Sequence, residues 1–171
     1  MNKEYCTISD SDIPSGSGGI NGERYTYGQL RHQPIILEVL QRITNPVARQ
    51  MAEECNARNR QEGFQMYKLD GEYCFDGLRV GPKVKIPSKS ELLELLNGQA
   101  LNAANIRALT YTILREELAR VCGVSVQEAS DIIGSQLDCA PHEDISGYIF
   151  MVPNWAHKWF RHNGYVSRIK D

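Results

Sequence analysis

The stretch PHEDISGYIFMVPNWAHKWFRHNGY, residues 141–165, decides how the C-terminal part of the chain folds. QLDCAPH (136–142) and GYIFMVP (147–153) each have the length and apolar content of a short β-strand, and EDIS between them fits a turn. Pro153 stands where a helix can begin, and the amphipathic run NWAHKWFRH follows it. The stretch therefore predicts strand, turn, strand and helix in that order.

Three of the four histidines of the chain lie in this stretch. His142 is predicted at the end of the first strand and His157 on the helix. His162 is five residues after His157, which on an ideal helix is about 140° past one full turn. The two side chains can still converge on one ion if the helix ends between them or if His162 lies in the turn that Asn163–Gly164 predicts.

This segment resembles the C-terminal motif of the HNH/endonuclease VII superfamily, in particular the WHH and colicin-DNase-like toxin nucleases. The resemblance covers residues 139–165. The matching positions are His142, Glu143, Gly147, the run Met151-Val152-Pro153, His157, and His162 with Asn163-Gly164.

The resemblance implies a ββα-metal nuclease. In that family a strand histidine activates water for attack on a phosphodiester, which here assigns the general base to His142. Histidines on the helix side, here His157 and His162, hold a divalent cation (Mg²⁺, Mn²⁺ or Zn²⁺) that polarises the phosphate and stabilises the leaving oxygen. Lys158 and Arg161 are candidate phosphate contacts, although cations at a helix end are also common for dipole reasons alone.

The sequence departs from the family pattern just before His142. Pro141 occupies the position of a ligating histidine, and Ala140 that of the tryptophan; proline cannot bind a metal. Glu143 is the candidate that completes the ligand set and assists catalysis, with Asp144 as a second carboxylate. Without either carboxylate the site is incomplete, and the protein is then a degenerate member of the family or uses an ion with two protein ligands.

The rest of the chain predicts a scaffold. Residues 1–26 are rich in Ser, Gly and Asp and are expected to be a flexible lead-in. Residues 27–135 predict helices with a β-hairpin near 64–86, and the resemblance implies that residues 136–171 form a ββα-metal module. The fold class is therefore α+β, a mainly helical N-terminal part with a small β-hairpin followed by that C-terminal module.

Four cations occur in one acid-free run near the hairpin, namely Arg79, Lys83, Lys85 and Lys89. Two interpretations remain open, a solvated strand face and a ridge that faces phosphate groups.

Composition limits the class of protein. The chain has 171 residues, 42% of them hydrophobic and 23% charged, which is normal for a globular protein with a real core. Its net charge of −2 counts against sequence-independent nucleic-acid binding unless a local basic surface or a bound cation neutralises the phosphates. Five scattered cysteines without a C-x-x-C pair predict reduced thiols and no zinc ribbon. A cysteine hydrolase built on Cys139 and His142 is a weaker alternative.

Neither a transmembrane run nor a signal-peptide pattern is found, so we expect synthesis in the cytoplasm, with secretion or delivery into a target cell still open. The expected function is a metal-dependent endonuclease of a bacterial toxin, acting on DNA ahead of RNA. The resemblance also implies a cognate immunity protein as partner, and no membrane. The alternative is a non-catalytic interaction protein that retains a degenerate ββα-metal frame.

Overall fold

The computed structural model describes residues 4–5, 42–62, 67–69, 72–159 and 165–169. These residues form an α+β fold, as predicted: helices dominate the N-terminal part, and an antiparallel sheet with a short helix forms the C-terminal part. The helix predicted from Tyr27 onward falls largely outside the described residues.

A small sheet contains the predicted hairpin. Strands β2 (Tyr67–Leu69) and β3 (Glu72–Cys74) pair antiparallel, and Leu69 stands opposite Glu72. This register leaves two residues for the turn, as the Asp70–Gly71 pair predicts. The third strand, β1 (Glu4–Tyr5), pairs with β2 although it lies in the segment expected to be irregular. Two residues are too few to show a period-two pattern in the sequence.

The central sheet contains the C-terminal hairpin and one strand from the middle of the chain. Its strands are β4 (Val80–Lys85), β5 (Cys139–Glu143) and β6 (Tyr148–Pro153), in the order β4-β6-β5. All pairings are antiparallel. Strand β6 is buried from Ile149 onward, because β4 and β5 flank it and other elements cover both faces. The sheet therefore joins the two parts of the chain that the sequence divides at residue 135.

The helices begin and end where the sequence places its capping residues. Ser88 and Glu91 form a capping box, which the sequence pattern S-x-x-E indicates, and Gly123 ends the longest of the described helices with a φ of 67°. The described helices are α1 (Pro46–Glu62), α2 (Lys89–Leu96), α3 (Ala103–Cys122), α4 (Val126–Asp131, continued by a π-helical turn over Ile132–Gln136), α5 (Asn154–Trp159) and α6 (Val166–Ile169). Within the described part of the chain, no helix is both long and apolar enough to span a bilayer.

The central sheet separates two layers. Helices α1 and α3 pack on the face that carries Glu143, and α5 packs on the face that carries His142. The apolar core is continuous between the sheet and α1 and α3. The hairpin-and-helix unit therefore rests on a scaffold from the first two-thirds of the chain.

Gly81 lies in the irregular part of β4, and its substitution tests how tightly α1 packs on the sheet. Its φ is +75°, and a Cβ there would lie 2.8 Å from Met51 Sδ and 3.1 Å from Met151 Cε. Gly81→Ala should lower the free energy of unfolding by about 1 kcal/mol more than Gly123→Ala does, because of this overpacking. Gly123 is the matched control, since it has a φ of +67° and a Cβ added there would meet nothing within 4 Å. Denaturant titration of both variants measures the difference, and equal losses would show that Met51 yields without cost.

Candidate functional site

His142 and Glu143 point to opposite faces of β5, because side chains alternate along a strand. His142 stands opposite Phe150 on β6, and Glu143 stands opposite Ile149. The two predicted catalytic residues are therefore adjacent in sequence but separated by the sheet.

The His142 ring is enclosed by aromatic rings. Its centroid lies 4.6 Å from that of Phe75, 5.7 Å from that of Phe150 and 5.2 Å from that of His157. All three contacts are edge-to-face, and His142 is only 2% exposed. His157 is half-buried and is the more accessible of the two imidazoles.

Asp144 is the polar centre of this cluster and is fully buried. Its Oδ1 lies 2.8 Å from His142 Nε2 and accepts from the Phe75 N–H at 2.8 Å. Its Oδ2 accepts from the Ser146 N–H at 3.1 Å and contacts Cys74 Sγ at 3.1 Å. These contacts tie the hairpin turn to the end of β3 and to the His142 ring.

The contacts of Asp144 control its ionisation. Burial alone would raise the pKa of Asp144, but His142 and the N–H groups of Phe75 and Ser146 lower it to about 2. The carboxylate is therefore ionised at neutral pH and can only accept, so His142 Nε2 carries the donated proton. In the neutral imidazole the lone pair is then on Nδ1, the nitrogen that can take up a proton.

Two contacts of Asn154 fix α5 to the hairpin. The Asn154 N–H donates to the Asp138 carbonyl at 3.0 Å, and Asn154 Nδ2 donates to Asp138 Oδ1 at 2.9 Å. The start of α5 is thus held beside the start of β5. His157, further along α5, lies against His142, with the two ring centroids 5.2 Å apart.

Glu143 belongs to the α3 side of the sheet. Its Oε1 accepts from the Thr110 hydroxyl at 2.9 Å, and its Oε2 lies 4.0 Å from Arg107 Nε. Burial raises the pKa of Glu143, and the Thr110 hydrogen bond and the Arg107 charge only partly offset this. The expectation that Glu143 joins the histidines as a ligand or catalytic group is therefore corrected: the carboxylate beside His142 is that of Asp144.

The remaining predicted site residues are only partly described. His162 and Arg161 lie outside the described residues, as does the Lys158 side chain. Among the residues that are described, no three His, Cys, Asp or Glu side chains are grouped so as to hold a metal ion. Asp144 is saturated by its four contacts and Glu143 faces away, so the described donors alone do not fit a divalent cation.

Sequence reasoning missed the role of Asp144 and the contribution of the β2–β3 hairpin. A signal for Asp144 was present, because residues 142 and 144 are two apart and share one strand face. No local sequence pattern predicts that Phe75 and Cys74 contact this turn. The structure does not support the cysteine-hydrolase alternative, because Cys139 and His142 lie on opposite faces of β5. Burial also raises the pKa of the Cys139 thiol well above its ordinary value.

The position of Glu143 yields a prediction with two readouts. Glu143→Gln should leave any nuclease activity close to that of wild type, because Glu143 lies on the opposite face of the sheet from His142. The raised folded-state pKa of Glu143 means that stability from this group is highest at low pH and falls as pH rises through that pKa. The ordinary pKa of Glu is about 4. The variant should therefore lose less stability than wild type as the pH rises from about 4 to about 7. Denaturant titrations across this range measure the difference in stability. Loss of nuclease activity in a folded variant would show that Glu143 takes part in the catalytic site.

Comparison with known proteins identifies no relative: no family model, curated protein or solved structure matches this chain.

Proposed function

We propose that the chain is an endonuclease that hydrolyses phosphodiester bonds of DNA or RNA, with His142 as the general base. The observation that carries this proposal is the Asp144–His142–His157 cluster at the junction of a β-hairpin and a helix. The order of these elements and the facing histidines agree with the ββα arrangement that the sequence resembles.

Asp144 gives His142 the properties of a base. An ionised carboxylate on Nε2 holds the ring in one orientation and stabilises the imidazolium that forms when Nδ1 takes a proton. In the proposed step His142 removes a proton from water, and the water oxygen forms a new bond to phosphorus. The bond to the leaving sugar oxygen breaks, and that oxygen takes a proton from solvent. Such base catalysis is worth about 10²–10⁴ in rate.

In this proposal the residues that would bind the divalent cation are His157 and His162. Bound there, a divalent ion would supply charge neutralisation at the phosphate. Because the described donors do not complete its ligand set, no step of the reaction is assigned to it.

The proposal requires that substrate approach His142 along the side of His157. His142 is 2% exposed, and His157 is the half-buried imidazole in contact with it. A shift of the His157 end of α5, about the start of the helix that Asn154 holds at Asp138, would open this side. In many enzymes a loop or domain moves when substrate binds, and that movement completes the catalytic site.

The same burial favours the alternative, a non-catalytic interaction protein. A histidine packed between aromatic rings and bonded to a saturated, buried carboxylate is also what a purely structural polar network requires. In this alternative the ββα frame is retained for packing.

One cleavage panel separates the two functions. Purified protein is incubated with supercoiled plasmid DNA and with RNA, each with Mg²⁺, Mn²⁺, Zn²⁺ or a chelator. The nuclease proposal expects cleavage of at least one polymer, with loss in chelator if the cation is required. Cleavage of neither polymer under any metal contradicts the proposal and leaves the interaction protein.

The biological setting of the proposal comes from the resemblance alone. A toxin domain of this kind would act in a target cell and would be neutralised in the producer by a cognate immunity protein.

A further inference from the structure

The cations of the 79–89 run do not share one surface, and the structure separates them. Arg79 is bound within the fold, because its guanidinium contacts Asp76 Oδ1 and the Gly81 carbonyl. Lys89 is the first residue of α2 and lies beyond the end of β4. Of the four, Lys83 and Lys85 are on the sheet with exposed side chains.

The sheet register places both lysines on the His142 face. Lys85 stands opposite Tyr148, which shares a face with Phe150, and Phe150 stands opposite His142. Lys83 shares the Lys85 face, and its Nζ lies 4.6 Å from the centroid of the Tyr148 ring.

This face joins the lysines to the proposed catalytic site. Strands are about 4.8 Å apart and alternate residues about 7 Å apart, so the backbone of Lys85 lies about 12 Å from that of His142 across the sheet. Lys83 Nζ forms a long salt bridge of 3.9 Å with Asp76 Oδ1, and the Lys83 side chain remains 41% exposed. A chain with a net charge of −2 thus presents a local cationic edge beside its histidine cluster.

We propose that Lys83 and Lys85, with Tyr148 beside them on β6, bind the phosphate backbone of a nucleic-acid strand and position it at the His142–His157 cluster. This inference rests on the proposed nuclease function for its biological role. The partner is identified by its charge, since two cations on one strand edge suit a repeating anion and phosphate contacts supply most of the affinity of nucleic-acid binding. The aromatic ring beside them suits a base of a single strand.

The test is the salt dependence of binding. Fluorescence anisotropy is measured with labelled single-stranded DNA and RNA in His142→Ala protein with chelator, so that cleavage does not interfere. Each phosphate contact contributes about 0.7 to the slope of log affinity against log salt. Lys83→Gln and Lys85→Gln should each reduce that slope by about 0.7, and the double variant by about 1.4. Lys89→Gln is the matched control and should leave it unchanged.

The outcomes separate this inference from the nuclease proposal. If wild type cleaves nucleic acid but the Lys83 and Lys85 variants keep the slope of Lys89→Gln, the binding surface is elsewhere and the inference is overturned alone. If wild type cleaves neither polymer but the two variants reduce the slope, the surface is supported and the catalytic proposal fails. Preference between the DNA and RNA arms identifies the polymer.

Discussion

His142→Ala should lower the rate of nucleic-acid cleavage by about 10²–10⁴-fold, the range that general-base catalysis supplies. The effect is expected on the rate constant under single-turnover conditions, with little change in substrate affinity, because the base acts on water during the chemical step. Gel-based cleavage assays under the metal condition that supports wild-type activity measure it.

Two controls distinguish lost chemistry from lost structure. His32→Ala removes the one histidine outside residues 141–165 and should retain activity. Exogenous imidazole should partly restore cleavage by His142→Ala, since it can occupy the space of the lost ring. A folded His142→Ala protein with wild-type activity would show that the ring only packs between Phe75 and Phe150.

Asp144→Ala should be the most destabilising single change at the site, with a loss of about 3–5 kcal/mol in the free energy of unfolding. The substitution leaves the Phe75 and Ser146 N–H groups and the His142 ring without their shared acceptor in a buried place. Asp144→Asn keeps one acceptor oxygen and should lose less. Denaturant titration of both variants checks the order, and a loss below about 1 kcal/mol for Asp144→Ala would contradict this view of the cluster.

Acid titration gives an independent view of the same carboxylate. The folded-state pKa of Asp144, about 2, is below the ordinary value of 3.8, so its stabilisation is complete above the unfolded pKa. It is lost as pH falls from about 4 towards 2. The stability of wild type should therefore drop more steeply over this range than that of Asp144→Asn. Parallel curves of stability against pH for the two proteins would show that ionisation of Asp144 does not contribute to stability in acid.

The sequence predicts the local elements because their signals are local. Asp70–Gly71 predicts a two-residue hairpin turn, Ser88 with Glu91 predicts a helix start, and Gly123 predicts a helix end. The strand–turn–strand–helix order of the C-terminal stretch is also confirmed, with the turn at Asp144–Gly147, where the Asp144 side chain accepts from the Ser146 N–H.

The tertiary contacts could not be predicted from the sequence. The pairing of β4 with β6 joins residues more than sixty positions apart, and no periodicity encodes such a partner. The burial of Thr110, a polar residue of α3, has no signal in the sequence, because its contact with Glu143 on the sheet is what satisfies its hydroxyl. Strand alternation, applied to His142 and its neighbours, would have separated Glu143 from the cluster and selected Asp144.

The central claim, that His142 and His157 form one catalytic site, is tested most directly by a double-mutant cycle on cleavage. Rates are measured for wild type, His142→Ala, His157→Ala and the double variant, each shown to be folded. Residues that act as a unit are strongly non-additive, so the double variant should be no more than about tenfold slower than the slower single variant. Losses that multiply in the double variant, or a single variant with wild-type rate, would contradict the claim.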